Sequence, residues 1–309
     1  MQDSQVKATE LQSARVAVLG GTGFVGSRLW PRLVAAGAEV RLGSRHAGGT
    51  HVTGTEIAGA THLRCDLETG DGLDAALDGV DIAYYLVHGM AGGADFADRE
   101  RAAAENFMAA AGRRRVDRVV YLGGLYPAGE LSEHLQSRRQ VGRLLIEGCG
   151  ALAVRAGVVV GAGGTSFEIL RGLCQRLPLM LAPRWLASLC QPIGIDDTVE
   201  ALARAGSVPA GREVDIVGPD ILSYREMLEI TGSELKGRRP LMFPVPLLSP
   251  ELSAHWLRLV TRVDMNVARS LVASLRHDLI ADRPLLAAEL GIRPAGFRET
   301  VRAALAAPR

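Results

Sequence analysis

Three glycines three residues apart carry the first recognisable chemistry of the sequence. They lie in the stretch Gly20-Gly21-Thr22-Gly23-Phe24-Val25-Gly26. An apolar run, Val16 to Leu19, leads into it and reads as a buried parallel strand. A helical pattern follows from about Phe24 to Ala36 and ends at Gly37. Strand, glycine turn and helix form the context that a dinucleotide fingerprint needs. Gly20 permits the tight turn, Gly23 lets the backbone approach a pyrophosphate, and Gly26 lets the helix pack close to the strand. The helix N-terminus then offers free N–H groups and a partial positive charge to phosphate oxygens. Thr22, Phe24 and Val25 sit in the same cradle. The bland alternative is a glycine-rich turn without a ligand, and the regular spacing at a first βα junction argues against it.

Two further positions bear on the cofactor. The second strand, Glu39 to Leu42, ends in Gly43-Ser44-Arg45, where a site selective for NAD has an acidic residue for the adenosine ribose. A hydroxyl and a guanidinium stand there instead, and the planar fork of arginine suits a 2′-phosphate. NADP(H) is therefore the favoured cofactor, with NAD(H) as the alternative. The fourth strand, Val80 to Val87, ends in Leu86-Val87-His88. Ligands of open parallel sheets bind off carboxyl strand ends, so Leu86, Val87 and His88 are expected beside the cofactor. Gly123, at the end of the fifth strand, is expected there as well.

The elements that hold these residues alternate strand and helix. Strands are expected at 62–65, 80–87, 117–122 and from Leu152, with helices at 71–77, 96–111 and 131–148. This rhythm argues for a doubly wound parallel sheet. It changes after about 165. The expected organisation is a disordered tail at 1–13 and a dinucleotide-binding domain at 14–165, completed by pieces of about 190–218. A smaller, mostly helical substrate lobe is expected from 166–189 and 219–309, its last helical stretch at 284–307. Apolar residues make up 48% and charged residues 22%, which marks a globular chain. The net charge of +1 gives no electrostatic reason for a nucleic acid or membrane partner. Aromatics at 5% also speak against a base-stacking surface. Four cysteines without a CxxC pair, and a polar start to the chain, fit a reduced, cytoplasmic protein.

The Gly-x-x-Gly-x-x-Gly form resembles the short-chain dehydrogenase/reductase superfamily. Later pieces narrow the likeness: Ser44-Arg45, Asp66-Leu67, Tyr84 to His88, Val120 to Leu125, Leu131 to Arg138, Arg155-Ala156-Gly157, Gly163 to Glu168, Pro192-Ile193 and Gly218-Pro219-Asp220. Together they resemble the atypical, NmrA-like branch, over nearly the whole chain. The resemblance implies a Rossmann sheet, with Asp66 and Leu67 at the adenine. It also exposes a departure. The superfamily uses a Tyr-x-x-x-Lys pair on one helix, with a serine at the end of the preceding strand. Here His134 falls at the tyrosine position, Arg138 at the lysine position, and Gly123-Gly124 where the serine belongs. Residues four apart share a helix face. Arg138 can contact a ribose or phosphate but does not titrate; His134 can donate a proton near neutral pH.

A carbonyl whose reduced form is a stable anion needs little help from an acid. Quinones meet that condition, and the implied function is reduction of a quinone or related aromatic carbonyl, as in relatives that act on aromatic polyketides. The further expectations are a partner oxygenase and a homodimer. The apolar segment 177–190 and a helix around Trp256 could line a flat pocket; the alternative is that their apolar residues are simply core. The alternative is a catalytically silent dinucleotide-binding sensor.

Overall fold

The computed structural model describes residues 11–45, 60–87, 95–127, 129, 131, 133–177, 179–245 and 277–307. His88 and Trp256 lie outside them.

Six strands in chain order build most of a parallel sheet: β1 (Arg15–Leu19), β2 (Glu39–Ser44), β3 (Ala60–Arg64), β4 (Ile82–Tyr85), β5 (Arg118–Gly124) and β6 (Leu152–Ala156). Two short strands, β7 (Val159–Val160) and β10 (Ile193–Gly194), pair with each other. A later strand, β11 (Arg212–Ile216), then adds to β6. The seven-stranded order is β11-β6-β5-β4-β1-β2-β3, with every neighbour parallel. The order reverses between β1 and β4, so a crevice opens at their carboxyl ends.

Both faces of the sheet are buried, which explains the unbroken apolar runs of its central strands. Along β1, Val16 and Val18 face one core, while Ala17 and Leu19 face the other. The first core is covered by α1 (Gly26–Ala35) and α6 (Ile195–Ala205). Helix α1 buries Gly26, Leu29, Trp30 and Leu33, the spacing of one helix face. Burying a leucine of this kind fully contributes roughly 1.5–3 kcal/mol. The second core is covered by α2 (Leu73–Ala76), α3 (Phe96–Arg114) and α4 (Glu133–Cys149).

A third core joins α5 (Thr165–Arg176), α7 (Tyr224–Lys236) and α9 (Phe297–Ala306). Helix α7 starts on a capping box: Ser223 Oγ accepts from Glu226 N, and Glu226 Oε2 accepts from Ser223 N.

The region after 165, expected to be mostly helical, also carries short strands: β8 (Leu179–Pro183) pairs with β13 (Leu241–Val245), and β9 (Leu189–Cys190) with β12 (Leu222–Ser223). β-Branching is scarce there, but strand-to-strand pairing satisfies the backbone of the proline-interrupted segments. Of the two readings of 177–190, core holds in part: Met180, Leu186 and Cys190 are buried in the third core, while Leu179 is half exposed. The stretch 284–307 holds two helices, α8 (Leu286–Glu289) and α9, separated by Gly291 at φ 65° and by Pro294. The tail does not extend to 13: Leu11 is buried in the first core, and Ser13 N donates to Gly37 O.

Candidate active site

The fingerprint turn lies at the crevice. Gly20 adopts φ +87°, and a Cβ built on it would come within 3.1 Å of the Leu86 carbonyl carbon and 3.2 Å of Val87 Cγ2. Leu86 N donates to Leu19 O, and Gly20 N donates to Gly43 O, so β1, β2 and β4 are tied together at this end. Gly26 has no room for a side chain: a Cβ there would sit 2.8 Å from Gly21 Cα, with Gly20 O closer still. Gly23 differs. It is exposed, and its missing Cβ would meet only Gly20 O, at 3.2 Å. It therefore leaves space on the side where a ligand would lie.

Helix α1 begins without a side-chain cap and without an acidic residue in its first turn. Among the described residues, no protein acceptor is found for the N–H groups of Phe24 and Val25. A helix start with open donors and a partial positive charge is the anion site expected from the sequence. The cradle fits a dinucleotide pyrophosphate. Phe24 is fixed from the far side: Arg28 stacks 4.6 Å above its ring and donates to Phe24 O and Ala162 O. Arg28 thus fastens the fingerprint to the loop after β7, a role that its type and spacing did not announce.

Ser44 ends β2, and its Oγ lies 3.1 Å from His62 Nε2 on β3. Arg45 is exposed and lines a cleft of about 530 Å³ with Arg64, Asp66, Thr69, Asp71 and Gly72. Asp66 turns one oxygen to Glu68 N, and Leu67 is buried in the second core. The residues expected around the adenosine are therefore gathered at the carboxyl ends of β2 and β3. Arg64 is an addition. It is register partner to Ser44, which only strand pairing reveals.

The other end of the crevice holds Gly123, Gly124 and α4. Gly123 is buried against the Tyr121 ring, and a Cβ on Gly124 would lie 3.7 Å from Arg138 Nη1. The absent serine side chain thus leaves the guanidinium beside the strand end. Arg138 Nε is buried and has no hydrogen-bond partner among the described residues. The Arg138 carbonyl accepts from Tyr121 Oη at 3.3 Å. Burial pushes the phenols of Tyr121 and Tyr85 well above the usual range. Burial also carries Tyr126 up to about 12, with its ring 5.1 Å from the Arg155 guanidinium. These tyrosines are packing groups. His134 falls within α4, and its side chain lies outside the described residues; His88 is outside them altogether.

One buried network was invisible in the sequence. Arg155 and Asp215 are cross-strand neighbours on β6 and β11, joined by Nε–Oδ1 at 2.7 Å and Nη2–Oδ2 at 2.9 Å. Asp215 Oδ2 also accepts from Asp282 N and Arg283 N. The pair fastens the segment after 277 to the sheet edge.

Residues 20–147 match the NAD(P)H-binding family, from the fingerprint turn through most of α4. No curated protein matches the sequence. Solved structures share the fold. The protein gox2253 superposes with a TM-score of 0.72 at 21% identity, over 95% of this chain and 97% of that one. A nucleoside-diphosphate-sugar epimerase from Staphylococcus aureus gives 0.73 at 15%, over 93% and 99%. MoeE5, solved with UDP-glucose and NAD, gives 0.69 at 18%, over 94% and 97%. No helix among the described residues is long and apolar enough to cross a membrane. The chain has a Rossmann-like α/β fold, and residues 20–147 of it are similar to the NAD(P)H-binding family.

Proposed function

We propose that the protein is an NADP(H)-dependent reductase of a quinone or a related aromatic carbonyl compound. The observation that carries this reading is Arg138: a permanent cation beside the end of β5, with a buried Nε that no described protein group satisfies. Gly20, Gly23 and Gly26 would seat the pyrophosphate on the start of α1. Ser44 and Arg45 would take the 2′-phosphate, and Asp66 and Leu67 would flank the adenine. Bound there, the nicotinamide supplies a hydride.

The side chains then have a limited task. Arg138 holds the cofactor ribose and offers a positive charge to the oxygen that becomes anionic. A cation fixed before the reaction stabilises developing charge without reorganisation. The proton must come from His134 or from water. That suits a product whose anion is stable by itself, and a quinone gives one. An ordinary ketone gives a basic alkoxide and would react poorly here.

The test is a panel of quinones and ketones with NADPH, followed by loss of the reduced cofactor's absorbance. Quinone-dependent oxidation with ketones inert supports the reading. His134→Ala should lower turnover by about tenfold or less, the low end for general acid catalysis. NADPH binding without turnover on any quinone would overturn the reading and leave a binding protein.

A further inference from the structure

Phe24 belongs to the fingerprint turn, yet its ring packs against a loop far along the chain. That loop, 161–164, follows β7 and leads into α5. A Cβ built on Gly164 would lie 2.6 Å from Phe24 Cζ, and one built on Gly161 would lie 3.2 Å from the same atom. Both glycines thus let the loop backbone close on the ring. Arg28 covers a ring face, with its guanidinium carbon 4.6 Å from the centroid. Its Nη1 donates to Phe24 O at 2.9 Å and its Nη2 to Ala162 O at 2.7 Å. Arg15, Arg32 and Arg113 close onto carboxylates instead. The fork of Arg28 bridges two carbonyls, and a planar guanidinium fixes the separation of the two segments that carry them.

The contacts run on from there. Gly163 N donates to Glu168 Oε1 at 3.2 Å, Gly164 N to Gly161 O at 3.0 Å, and Glu168 N to Gly164 O at 2.9 Å, so the loop is tied to the first turn of α5. Helix α5 buries Phe167, Leu170 and Leu173 in the third core, which it shares with α7 and α9. At the other end, the Phe24 N–H is an open donor of the cradle, while Phe24 O is held by Arg28. An anion that takes this N–H narrows the positions open to Phe24. Through the Phe24 carbonyl, its ring and Arg28, it also narrows those open to the loop. Such a coupling is reciprocal: whatever orders the loop also favours the occupied cradle.

We propose that Arg28 is a positioning residue that passes the occupancy of the dinucleotide cradle to the loop 161–164 and, through α5, to the lobe built on the third core. The proposal rests on the reading of the fingerprint turn as an NADP(H) site. Arg28 acts through Phe24 and Ala162, and its removal should uncouple the lobe without emptying the cradle.

The experiment is hydrogen–deuterium exchange of the full chain, read by mass spectrometry with and without saturating NADP+. Peptides over 20–28 report the cradle, and peptides over 161–168 report the loop. In wild type NADP+ should slow exchange in both, in the loop by about tenfold, a usual strength of coupling between sites. Arg28→Met keeps the length of the side chain and loses both carbonyl bonds. In this variant the cradle should still be protected, while the slowing in the loop falls to about twofold or less. Arg28→Lys should restore part of it, because an ammonium still donates to a carbonyl. Each variant is compared with its own ligand-free form. A merely structural tether would speed exchange in both states alike and leave that ratio unchanged. Loop slowing in Arg28→Met equal to that of wild type overturns the role of Arg28, and so does wild-type slowing confined to the cradle; both leave the cofactor site standing. If Arg28→Met does not fold, Gly164→Ala makes the same test from the loop side, since its methyl must displace the Phe24 ring, and undiminished loop slowing there overturns the proposal. NADP+ that slows exchange nowhere in wild type overturns the cofactor reading and the proposal with it.

Discussion

Replacing Gly26 and Gly23 by alanine, one at a time, separates folding from binding within a single turn. At Gly26 the new Cβ would lie 2.8 Å from Gly21 Cα and nearer still to Gly20 O. Both neighbours are backbone, so neither can rotate away, and the turn itself must move. Overpacking of this kind costs roughly 1–3 kcal/mol. Alanine recovers up to about 1 kcal/mol over glycine in a helix. Because both contacts are to backbone and that to Gly20 O is the shorter, the cost should lie at the upper end, and a net loss of about 2 kcal/mol remains. At Gly23 the only neighbour of the new methyl is Gly20 O at 3.2 Å. Stability should stay within about 0.5 kcal/mol of wild type, as for most exposed positions. The methyl would instead occupy the space left for the pyrophosphate, so NADPH affinity should fall at least tenfold. Thermal melts and calorimetric titration of both variants give the four numbers required. Gly26→Ala should lose both stability and binding, and Gly23→Ala binding alone. If Gly23→Ala binds NADPH like wild type, or Gly26→Ala melts like wild type, the turn is not the cradle described.

Asp215→Ala removes the fully buried partner of Arg155 and leaves Asp282 and Glu213 beside its guanidinium; removing one partner of a buried pair costs about 3–5 kcal/mol, and the remaining carboxylates put the expected loss at the low end or below; an unchanged denaturation midpoint would show the network to be dispensable. Arginines hold the carboxyls of Asp81, Asp282 and Glu289 below the usual range, through hydrogen bonds from Arg15, Arg155 and Arg212. Lowered folded values mean that this stability is present at neutral pH and is lost as the pH falls through the carboxylate range. Asp197, raised by burial, acts in the opposite sense but is outnumbered. The melting temperature should therefore be lower at pH 4 than at pH 7, and a flat profile would contradict the ion pairs. Burial pushes the thiols of Cys65 and Cys149 up to about 11, and those of Cys174 and Cys190 to about 12. Alkylation at pH 8 should be slow until the protein unfolds, and rapid labelling of the native chain would refute their burial.

The sheet was readable because its signals are local. Val16 to Leu19 shows no polar alternation, which marks a strand covered on both faces, and Gly20 and Gly37 stand where the backbone takes positive φ. The part after 165 was less readable because its pairings are long-range. Leu179–Pro183 finds its partner only at Leu241–Val245, across helices and loops, and no periodicity within five residues records that. The C-terminal break was underweighted: Gly291 and Pro294 both interrupt helical geometry, yet the apolar spacing of Leu286, Leu290, Phe297 and Val301 runs on through them.

The site divides in the same way. The proposed pyrophosphate cradle is seven consecutive residues, so its glycine spacing is legible in the sequence. Arg64 stands beside Ser44 only because β3 pairs with β2 in that register, which the sequence does not record. Arg138 depends on two absences. Gly124 carries no side chain to fill the space at the end of β5, and no described group takes the hydrogen of Arg138 Nε. A lysine could pass on a proton; an arginine keeps its charge and supplies none. In the proposed reading, an arginine at 138 without a tyrosine four residues before it would favour charge stabilisation over proton supply. It is this shift, more than any pocket wall, that argues for a substrate able to carry its own negative charge.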